Sequence, residues 1–515
     1  MTASPLKHIV LIPGPAWGHL RPAMKISLRL VEKFPDLFIS LFVCHIDVPK
    51  AVKYLESQPS TYSRRVQIVS TSKEEGAPPI QSDDVVEIIL HLEQSFKLWI
   101  SNELRQTTPI QIDGHLVNNP SLIIEDLFNG GVSLTCKDVH GLPIVVWWLM
   151  TAASLAIFTE HVGNENEIGI LADLARLHTE SAENLLDKAS ELYLQNVSDR
   201  LVCVPGLPAI HEWELQPHYV PFVAPFMVSM ISRLVNFMKH VDTLLCGTTF
   251  EMEPTSAASL LATFTNPIKS FFIGPPVDLV STHELDPSSP VTQFLDRAYT
   301  ENGANSVVYV AFGTTWFPPS TSMSHVMAVI DEIPKAGFRL VFAISSENAK
   351  LYKPWIDQHI ETGNAIFPEW TNQTAVLEHP AIHYFLSHGG WNSTTEALVR
   401  GVPMIFWPVS ADQPINAIQI ADTHDCGFEL LQVRGGPAKS TAYRRDTRIE
   451  IVGTDEAVRE EMRKVMELSK GPRGHHQRRN IRALGQVISR SLGPGGSADV
   501  GLEEFGKSLG LAIRD

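Results

Sequence analysis

Residues Trp370 to Gln413 form the segment WTNQTAVLEHPAIHYFLSHGGWNSTTEALVRGVPMIFWPVSADQ, which carries the most informative pattern in the chain. Its apolar run Ile382–Leu386 predicts a buried strand. The strand ends in Ser387-His388-Gly389-Gly390, where glycine lets the backbone turn tightly and approach a ligand. Ser393-Thr394-Thr395-Glu396 then begins an amphipathic helix. Because a glycine-bearing turn at a helix N-terminus presents unpaired N–H groups and a positive dipole end, this segment predicts a phosphate site.

A second predicted strand, Val402 to Pro408, follows this helix and leads to Asp412 and Gln413. The same order of elements occurs near the start of the chain, where the apolar run Lys7–Pro13 precedes a glycine-bearing turn at 14–19 and a predicted helix. Strand, turn and helix in this order open a doubly wound α/β unit, and ligands bind at the carboxyl ends of its strands. Both segments are therefore candidates for a binding edge.

The alternation of predicted strands and helices occurs twice, which at 515 residues favours two domains with separate cores. A segment rich in Pro and Ser between them is typical of an exposed linker. Residues 160–199 have a polar, helical pattern. The predicted organisation is an N-terminal domain at 1–277, a linker at 278–303, a second domain at 304–485 and C-terminal helices at 486–515.

Composition excludes several classes of partner. The formal net charge of −16 argues against nucleic acid or an anionic membrane surface. The N-terminus lacks a signal-peptide pattern, and no apolar run is long enough to span a bilayer. Five widely spaced cysteines favour reduced thiols over a disulfide framework or a zinc site. We therefore predict a cytoplasmic protein without a metal, and a monomer is the default expectation.

The segment Trp370–Gln413 resembles, in composition and in length, the sugar-nucleotide signature of the UDP-glycosyltransferases, particularly the plant and fungal enzymes that glycosylate small molecules. The resemblance covers nearly the whole chain and implies the GT-B fold, in which two doubly wound, Rossmann-like domains face each other across a cleft. It further implies that the first domain binds the acceptor, that the second binds the UDP-sugar, and that the C-terminal helix crosses back to the first domain. Where the plant signature usually has Trp-Ala-Pro-Gln and His-Cys-Gly-Trp, this chain has Trp370-Thr371-Asn372-Gln373 and His388-Gly389-Gly390-Trp391, which leaves a plant or a fungal source open.

The resemblance assigns catalysis to two residues of the first domain. In Gly18-His19-Leu20-Arg21-Pro22, His19 matches the family's general base, and its neutral imidazole can accept a proton near pH 7. A polar loop histidine is the structural alternative. Asp126 matches the carboxylate that orients this base, although an aspartate there also suits a helix cap. Because neighbours in a strand point to opposite faces, only one of Glu125 and Asp126 should reach His19, and we predict that Asp126 does.

Donor-binding roles in the second domain also follow from the resemblance. Trp370 is expected to stack on uracil and Glu396 to bind the ribose hydroxyls, although Ser393 and Glu396 also have the spacing of a capping box. Groups expected to hold the diphosphate are Thr314, His388, Gly390, Asn392 and Ser393. The remaining predicted UDP-sugar contacts are Gln373, Trp391, Asp412 and Gln413. Candidate contacts to sugar or acceptor, for which core packing is the alternative, are Gly18, Phe128, Trp148 and Thr151.

The resulting hypothesis is an inverting transferase that moves glucose from UDP-glucose to a hydroxyl of a small lipophilic acceptor, giving a β-glucoside without a cofactor or metal. Phenol, terpenoid, sterol and lipid acceptors all fit. Trp391 with Gln413 favours glucose over glucuronic acid, whose carboxylate would need an arginine. The alternatives are a UDP-sugar epimerase of the same fold and a non-catalytic UDP-sugar-binding protein. A nicotinamide dehydrogenase is disfavoured because the first turn lacks GxGxxG.

Overall fold

Two parallel β-sheets, each flanked by helices, organise the chain. A computed structural model describes residues 4–70, 85–158, 201–220, 230, 233–263, 268–279, 286–346, 348–436, 440–444 and 447–514. The segment 160–199, predicted to be helical, lies outside these residues. The two sheets confirm the predicted α/β class with two Rossmann-like units.

The first sheet is built around an interior strand whose last four residues, Ile9–Ile12, are apolar and buried. Its strands and a separate hairpin, β7–β8, are β1 (Leu6–Ile12), β2 (Leu37–Val43), β3 (Val66–Ser70), β4 (Ile110–Ile112), β5 (His115–Asp126), β6 (Ile144–Trp148), β7 (Leu201–Val202), β8 (Ile210–His211), β9 (Thr243–Cys246) and β10 (Lys269–Phe272). The order is β10-β9-β6-β5-β1-β2-β3, with β4 antiparallel to β5. β1 lies between β5 and β2, and its residues from His8 to Ile12 are buried, as is typical of a parallel strand covered on both faces.

The second sheet repeats this plan in the order β13-β12-β11-β14-β15-β16. Its strands, followed by an antiparallel hairpin, are β11 (Val307–Ala311), β12 (Arg339–Ala343), β13 (Ala365–Ile366), β14 (Ile382–Ser387), β15 (Met404–Phe406), β16 (Gly427–Glu429), β17 (Thr441–Arg444) and β18 (Thr447–Glu450). The predicted strand at the centre of the signature segment is β14, and every residue of it is buried.

Helices connect the strands of both sheets. In the first half they are α1 (Trp17–Lys33), α2 (Val48–Glu56), α3 (Ser60–Ser63), α4 (Val85–Glu103), α5 (Lys137–His140), α6 (Ala152–Phe158) and α7 (Pro254–Thr263). In the second half they are α8 (Pro290–Asn302), α9 (Met323–Lys335), α10 (Lys353–Glu361), α11 (Gln373–Glu378), α12 (Trp391–Arg400), α13 (Gln413–Ala417), α14 (Asp455–Lys470), α15 (Pro472–Leu492) and α16 (Ser497–Ser508). No described helix is both long and apolar enough to cross a membrane.

The segment predicted as a linker, 278–303, contains a helix. Ser289 caps α8 by accepting a hydrogen bond from the backbone N–H of Val291, and Pro290 occupies its first turn. Serine and proline, whose abundance predicted a linker, are here the N-cap residue and the first-turn proline of a helix. Only the part of the segment that precedes α8 can therefore serve as a linker.

The C-terminal helices contact both domains. Helix α15 packs on α12 and α14, whereas α16 packs on β10 at the edge of the first sheet. Phe505 of α16 meets Phe271 of β10 edge to face, with ring centroids 5.5 Å apart. A side chain at Gly506 would collide with the ring of Phe34, so the helix lies as close to the first domain as its backbone allows.

Candidate functional site

His19 and Asp126 lie together at the carboxyl edge of the first sheet. Helix α1 begins at Trp17, so His19 belongs to its first turn, directly after β1. Asp126 is the last residue of β5, which pairs with β1. Because the carboxyl ends of neighbouring parallel strands meet at one edge, the two side chains adjoin, with His19 Nδ1 2.7 Å from Asp126 Oδ2.

The backbone holds the Asp126 carboxylate in place. Its Oδ2 accepts a hydrogen bond from the N–H of Gly14 (3.2 Å) and its Oδ1 accepts one from the N–H of Phe128 (3.0 Å). Glu125 points to the opposite face, where the N–H groups of Val132 and Ser133 donate to it at 2.6 and 3.0 Å. Burial raises the pKa of Glu125 to about 7. The structure thus brings Asp126, and not Glu125, to His19.

The electrostatics of His19 suit a base. Burial acts to lower the pKa of its imidazole, but the charge of Asp126 and its hydrogen bond outweigh this effect, so the pKa is raised. With Nδ1 bonded to the carboxylate, Nε2 is the nitrogen that can accept a proton from a substrate. The side chain is 20% exposed, so that nitrogen can be reached from the cleft.

An aromatic wall continues from His19 into the first domain. Phe128 meets the imidazole edge to face (5.0 Å between centroids) and stacks on Trp148 at 6.0 Å. The indole N–H of Trp148 donates to the carbonyl of Thr151 at 2.7 Å. Thr151, a candidate sugar contact, is fully buried, and its hydroxyl accepts from the N–H of Ser154 in the first turn of α6. Its described role is therefore to cap a helix.

His388 lies in the glycine-bearing turn of the second domain. A Cβ on Gly390 would lie 2.5 Å from His388 Nε2, and one on Gly313 would lie 3.0 Å from the same ring, so only glycine leaves room for the imidazole. Burial lowers the pKa of His388 to about 4. The ring is therefore neutral at pH 7 and brings no positive charge to this turn, and its hydrogen bond to the backbone of Ala311 opposes the lowering of the pKa. Thr314, next to Gly313, is exposed at this edge.

Asp412 and Gln413 lie at the start of α13, and each has protein partners. The amide of Asn416 donates to Asp412 Oδ2 (2.6 Å) and to the carbonyl of Gly389 (2.9 Å). Burial raises the pKa of Asp412 to about 6, while the bond from Asn416 and the nearby charge of His19 oppose the rise. The side-chain oxygen of Gln413 accepts from the N–H groups of Val409 and Ser410, so only its NH₂ group is left for a ligand.

Trp370 and Glu396 differ sharply in exposure. Trp370 is 71% exposed, so its ring is accessible for stacking. Glu396 is only 2% exposed, and both of its oxygens have partners. Oε2 accepts from the amide of Gln373 (2.8 Å), which also donates to Ser393, and Oε1 is 2.8 Å from the guanidinium of Arg21 in the opposite domain.

Two more residues predicted to bind the donor make contacts across the cleft. The side-chain amide of Asn392 donates to the carbonyl of Gly18 at 2.8 Å. This carbonyl is available because Pro22, four residues later in α1, has no N–H to fill it. The indole N–H of Trp391 donates to the carbonyl of Gly247 at 3.1 Å. The described structure therefore has the cleft closed at these points.

Sequence reasoning missed a buried ionic cluster at the same interface. Glu214 pairs with Arg434 (2.9 Å) and Arg444 (2.6 Å), both of which also bind Glu429. It also missed Glu253, whose carboxylate accepts from two N–H groups at the start of α6. Each of these charges is ordinary in sequence, and only the tertiary fold buries it. A signal for Asn416 did exist, because a residue four positions after Asp412 shares its face of a helix.

Comparisons with known proteins show which sequences and folds this chain is similar to. The family model for UDP-glucoronosyl and UDP-glucosyl transferase matches residues 220–434. UDP-glycosyltransferase eriJ of Hericium erinaceus is 26% identical over 485 residues, which are 89% of each chain. Phytolacca americana UGT2, solved with UDP-2-fluoroglucose and pterostilbene, has 21% identity and a TM-score of 0.68 over 98% of this chain and 100% of its own. Medicago truncatula UGT71G1, solved with UDP-glucose, has 19% identity and the same TM-score over 98% of each chain.

The shared architecture is the GT-B fold, with two Rossmann-like domains across a cleft. The family-model match at 220–434 and the likeness to the Hericium enzyme over 89% of the chain support the UDP-glycosyltransferase family that the resemblance of Trp370–Gln413 predicted.

Proposed function

We propose that the protein is an inverting glucosyltransferase that uses UDP-glucose and a small lipophilic alcohol or phenol to make a β-glucoside. The contact of 2.7 Å between His19 and Asp126 carries this proposal, because a base with a fixed carboxylate partner at the cleft is what deprotonation of a hydroxyl requires. The Phytolacca and Medicago enzymes, solved with UDP-2-fluoroglucose and UDP-glucose respectively, support the choice of donor.

In the proposed reaction, His19 Nε2 takes the proton of the acceptor hydroxyl as its oxygen attacks the anomeric carbon. The bond from that carbon to the diphosphate oxygen breaks on the opposite face, and UDP departs with the electron pair. Displacement from the opposite face converts the α-linked donor into a β-glucoside. Asp126 stabilises the imidazolium that forms, and general-base help of this kind is worth roughly 10²–10⁴-fold in rate.

We propose that fixed dipoles stabilise the departing diphosphate. The N-terminus of α12 follows Gly390, and the neutral His388 lies in the turn directly before it. The hydroxyls of Thr314 and Ser393 are proposed to complete the set. Preorganised donors of this type act where charge develops in the transition state, so the proposed reaction needs no metal.

We propose that Asp412 binds the hydroxyls of the donor sugar. With its pKa raised to about 6, the carboxylate is mostly ionised at pH 7 and accepts hydrogen bonds from sugar hydroxyls. The same charge would repel a uronic acid, which supports a neutral hexose. On the acceptor side, Phe128 and Trp148 offer an apolar wall beside His19, which suits a lipophilic acceptor.

The test measures UDP release from UDP-glucose with a panel of phenols and aliphatic alcohols, for wild type, His19→Ala and the exposed control His240→Ala. Release that depends on the acceptor, survives in the control and collapses in His19→Ala is the expected result, with the β anomer identified by NMR. Conversion of the UDP-sugar without any acceptor would instead support the epimerase. Binding of UDP-glucose with no turnover on any acceptor would support a binding protein.

A further inference from the structure

Helices α1 and α12 face each other across the cleft and make two polar contacts. From α12, Asn392 and Glu396 are one turn apart and so share a face of the helix. From α1, Gly18 and Arg21 present a carbonyl and a guanidinium. The distances are 2.8 Å for Asn392 to Gly18 and 2.8 Å for Glu396 to Arg21. We call these two contacts the latch.

The latch occupies groups that the donor is proposed to need. The family resemblance leads us to expect that Glu396 binds the ribose hydroxyls, yet Arg21 and Gln373 already occupy its two oxygens. A carboxylate this buried needs a partner, because an unpaired buried charge is costly. Arg21 supplies one in the described state, and the ribose hydroxyls would supply another in a complex.

The surroundings of Arg21 reinforce its pairing with Glu396. A second acid whose charge acts on Arg21, Asp278, already binds the ammonium of Lys25 at 2.6 Å. Its backbone carbonyl accepts from Arg400 of α12 at 3.2 Å. The Arg21 side chain is 27% exposed, so it can swing into water when it loses Glu396.

We propose that Arg21 holds Glu396 in the donor-free enzyme and that the ribose hydroxyls of the donor compete with Arg21 for this carboxylate. The inference rests on the proposed function, since it takes Glu396 as the ribose site. Arg21 thereby sets donor affinity without being part of the chemical step. The apparent dissociation constant equals the intrinsic one divided by the fraction of molecules in which the pair is open.

The experiment titrates UDP by calorimetry into wild type, Arg21→Met, Glu396→Gln and the double variant. A partly buried ion pair of this kind is worth roughly 1–2 kcal/mol, so Arg21→Met should bind UDP about 5- to 30-fold more tightly than wild type. The gain should vanish in the Glu396→Gln background, where no ion pair exists to be broken.

A UDP analogue without ribose hydroxyls tests whether those hydroxyls are the groups that compete with Arg21. 2′,3′-Dideoxy-UDP lacks both hydroxyls and has no reason to displace Arg21, so wild type and Arg21→Met should bind it equally. Arg21→Gln, which retains a neutral hydrogen bond, should fall between wild type and Arg21→Met for UDP. Circular dichroism and thermal unfolding check that each variant is folded, and Arg21→Gln serves if Arg21→Met is not.

Two outcomes would overturn the inference while leaving the proposed function standing. Weaker UDP binding by folded Arg21→Met would mean that Arg21 contacts the nucleotide, and equal binding would mean that the pair does not compete with ribose. If wild type and every variant fail to bind UDP, the donor site itself is wrong and the inference falls with it.

Discussion

Gly14 packs against His19 and Asp126 and leaves no room for a side chain beside them. The substitution Gly14→Ala tests whether this close packing positions the two catalytic side chains. An ideal Cβ at Gly14 would lie 3.0 Å from Cγ and Nδ1 of His19 and 3.3 Å from Oδ2 of Asp126. Optimal contacts between carbon atoms are about 3.5–4.0 Å, so the imidazole must move by roughly half an ångström. The φ angle of Gly14 is not in the left-handed region, so the added methyl group perturbs the site through crowding and not through backbone strain.

The expected loss follows from the displacement. A misplacement of about 1 Å can cost roughly 100-fold in rate, so half of that predicts a fall in kcat of about 10-fold, or about 1.4 kcal/mol. The KM for UDP-glucose should change little, because Trp370, Glu396 and Asp412 lie in the other domain. The crowding should lower the free energy of unfolding by about 1–3 kcal/mol.

Steady-state UDP release at saturating donor measures the effect. The matched control is Gly471→Ala, whose Cβ would meet its nearest neighbour, the carbonyl of Leu468, at an ordinary 3.7 Å. In a His19→Ala background, Gly14→Ala should cost almost nothing further, because the pair it disturbs is already gone. A folded Gly14→Ala enzyme with wild-type kcat would refute the claim that this contact positions the base.

Three further predictions concern the same site. Asp126→Asn should lower kcat by roughly 10²–10⁴-fold, because a neutral amide cannot stabilise the imidazolium, whereas Glu125→Gln should affect stability more than kcat; parallel kinetics and thermal unfolding distinguish the two. Activity should fall on the acid side of the pH profile, because His19, whose pKa is raised above its ordinary value, becomes protonated as the pH falls and Asp412 then loses its charge near pH 6; a pH profile measures the fall, and Asp412→Asn should remove the component near pH 6. Asn416→Leu should raise the pKa of Asp412, because the Asn416 bond holds that pKa down, so the acid limb of kcat/KM should move to higher pH and the KM for UDP-glucose should rise; an unmoved limb would contradict this role.

Local sequence patterns predicted the family, the fold class and the strand ends that bring His19 to Asp126. This succeeds because two adjacent parallel strands must end at the same edge, whatever the rest of the chain does. The period of two along a strand also distinguishes Asp126 from Glu125. These are short-range rules, and they apply before any tertiary contact is known.

Contacts between the domains could not be predicted in this way. The spacing of Ser393 and Glu396 suggests a capping box or a ribose site, whereas Glu396 pairs with Arg21, which is 375 residues away and in the other domain. The side chain of Trp391, expected at the sugar, donates its N–H to Gly247. The two residues of such a pair share no sequence pattern, because their contact depends on how the two folded domains are oriented relative to each other.

The contact between α16 and β10 has a consequence for biosynthesis. The second sheet is translated between these two elements, so the ribosome completes β10 long before it makes the helix that covers it. At about 5–20 residues per second this interval lasts on the order of tens of seconds. During that time the ring of Phe271, almost fully buried in the finished protein, lacks the ring of Phe505 that packs on it. Until α16 is translated, the nascent N-terminal domain therefore exposes apolar surface at this edge of its sheet. Chaperones bind exposed apolar surface of this kind, and the packing of α16 on β10 covers it.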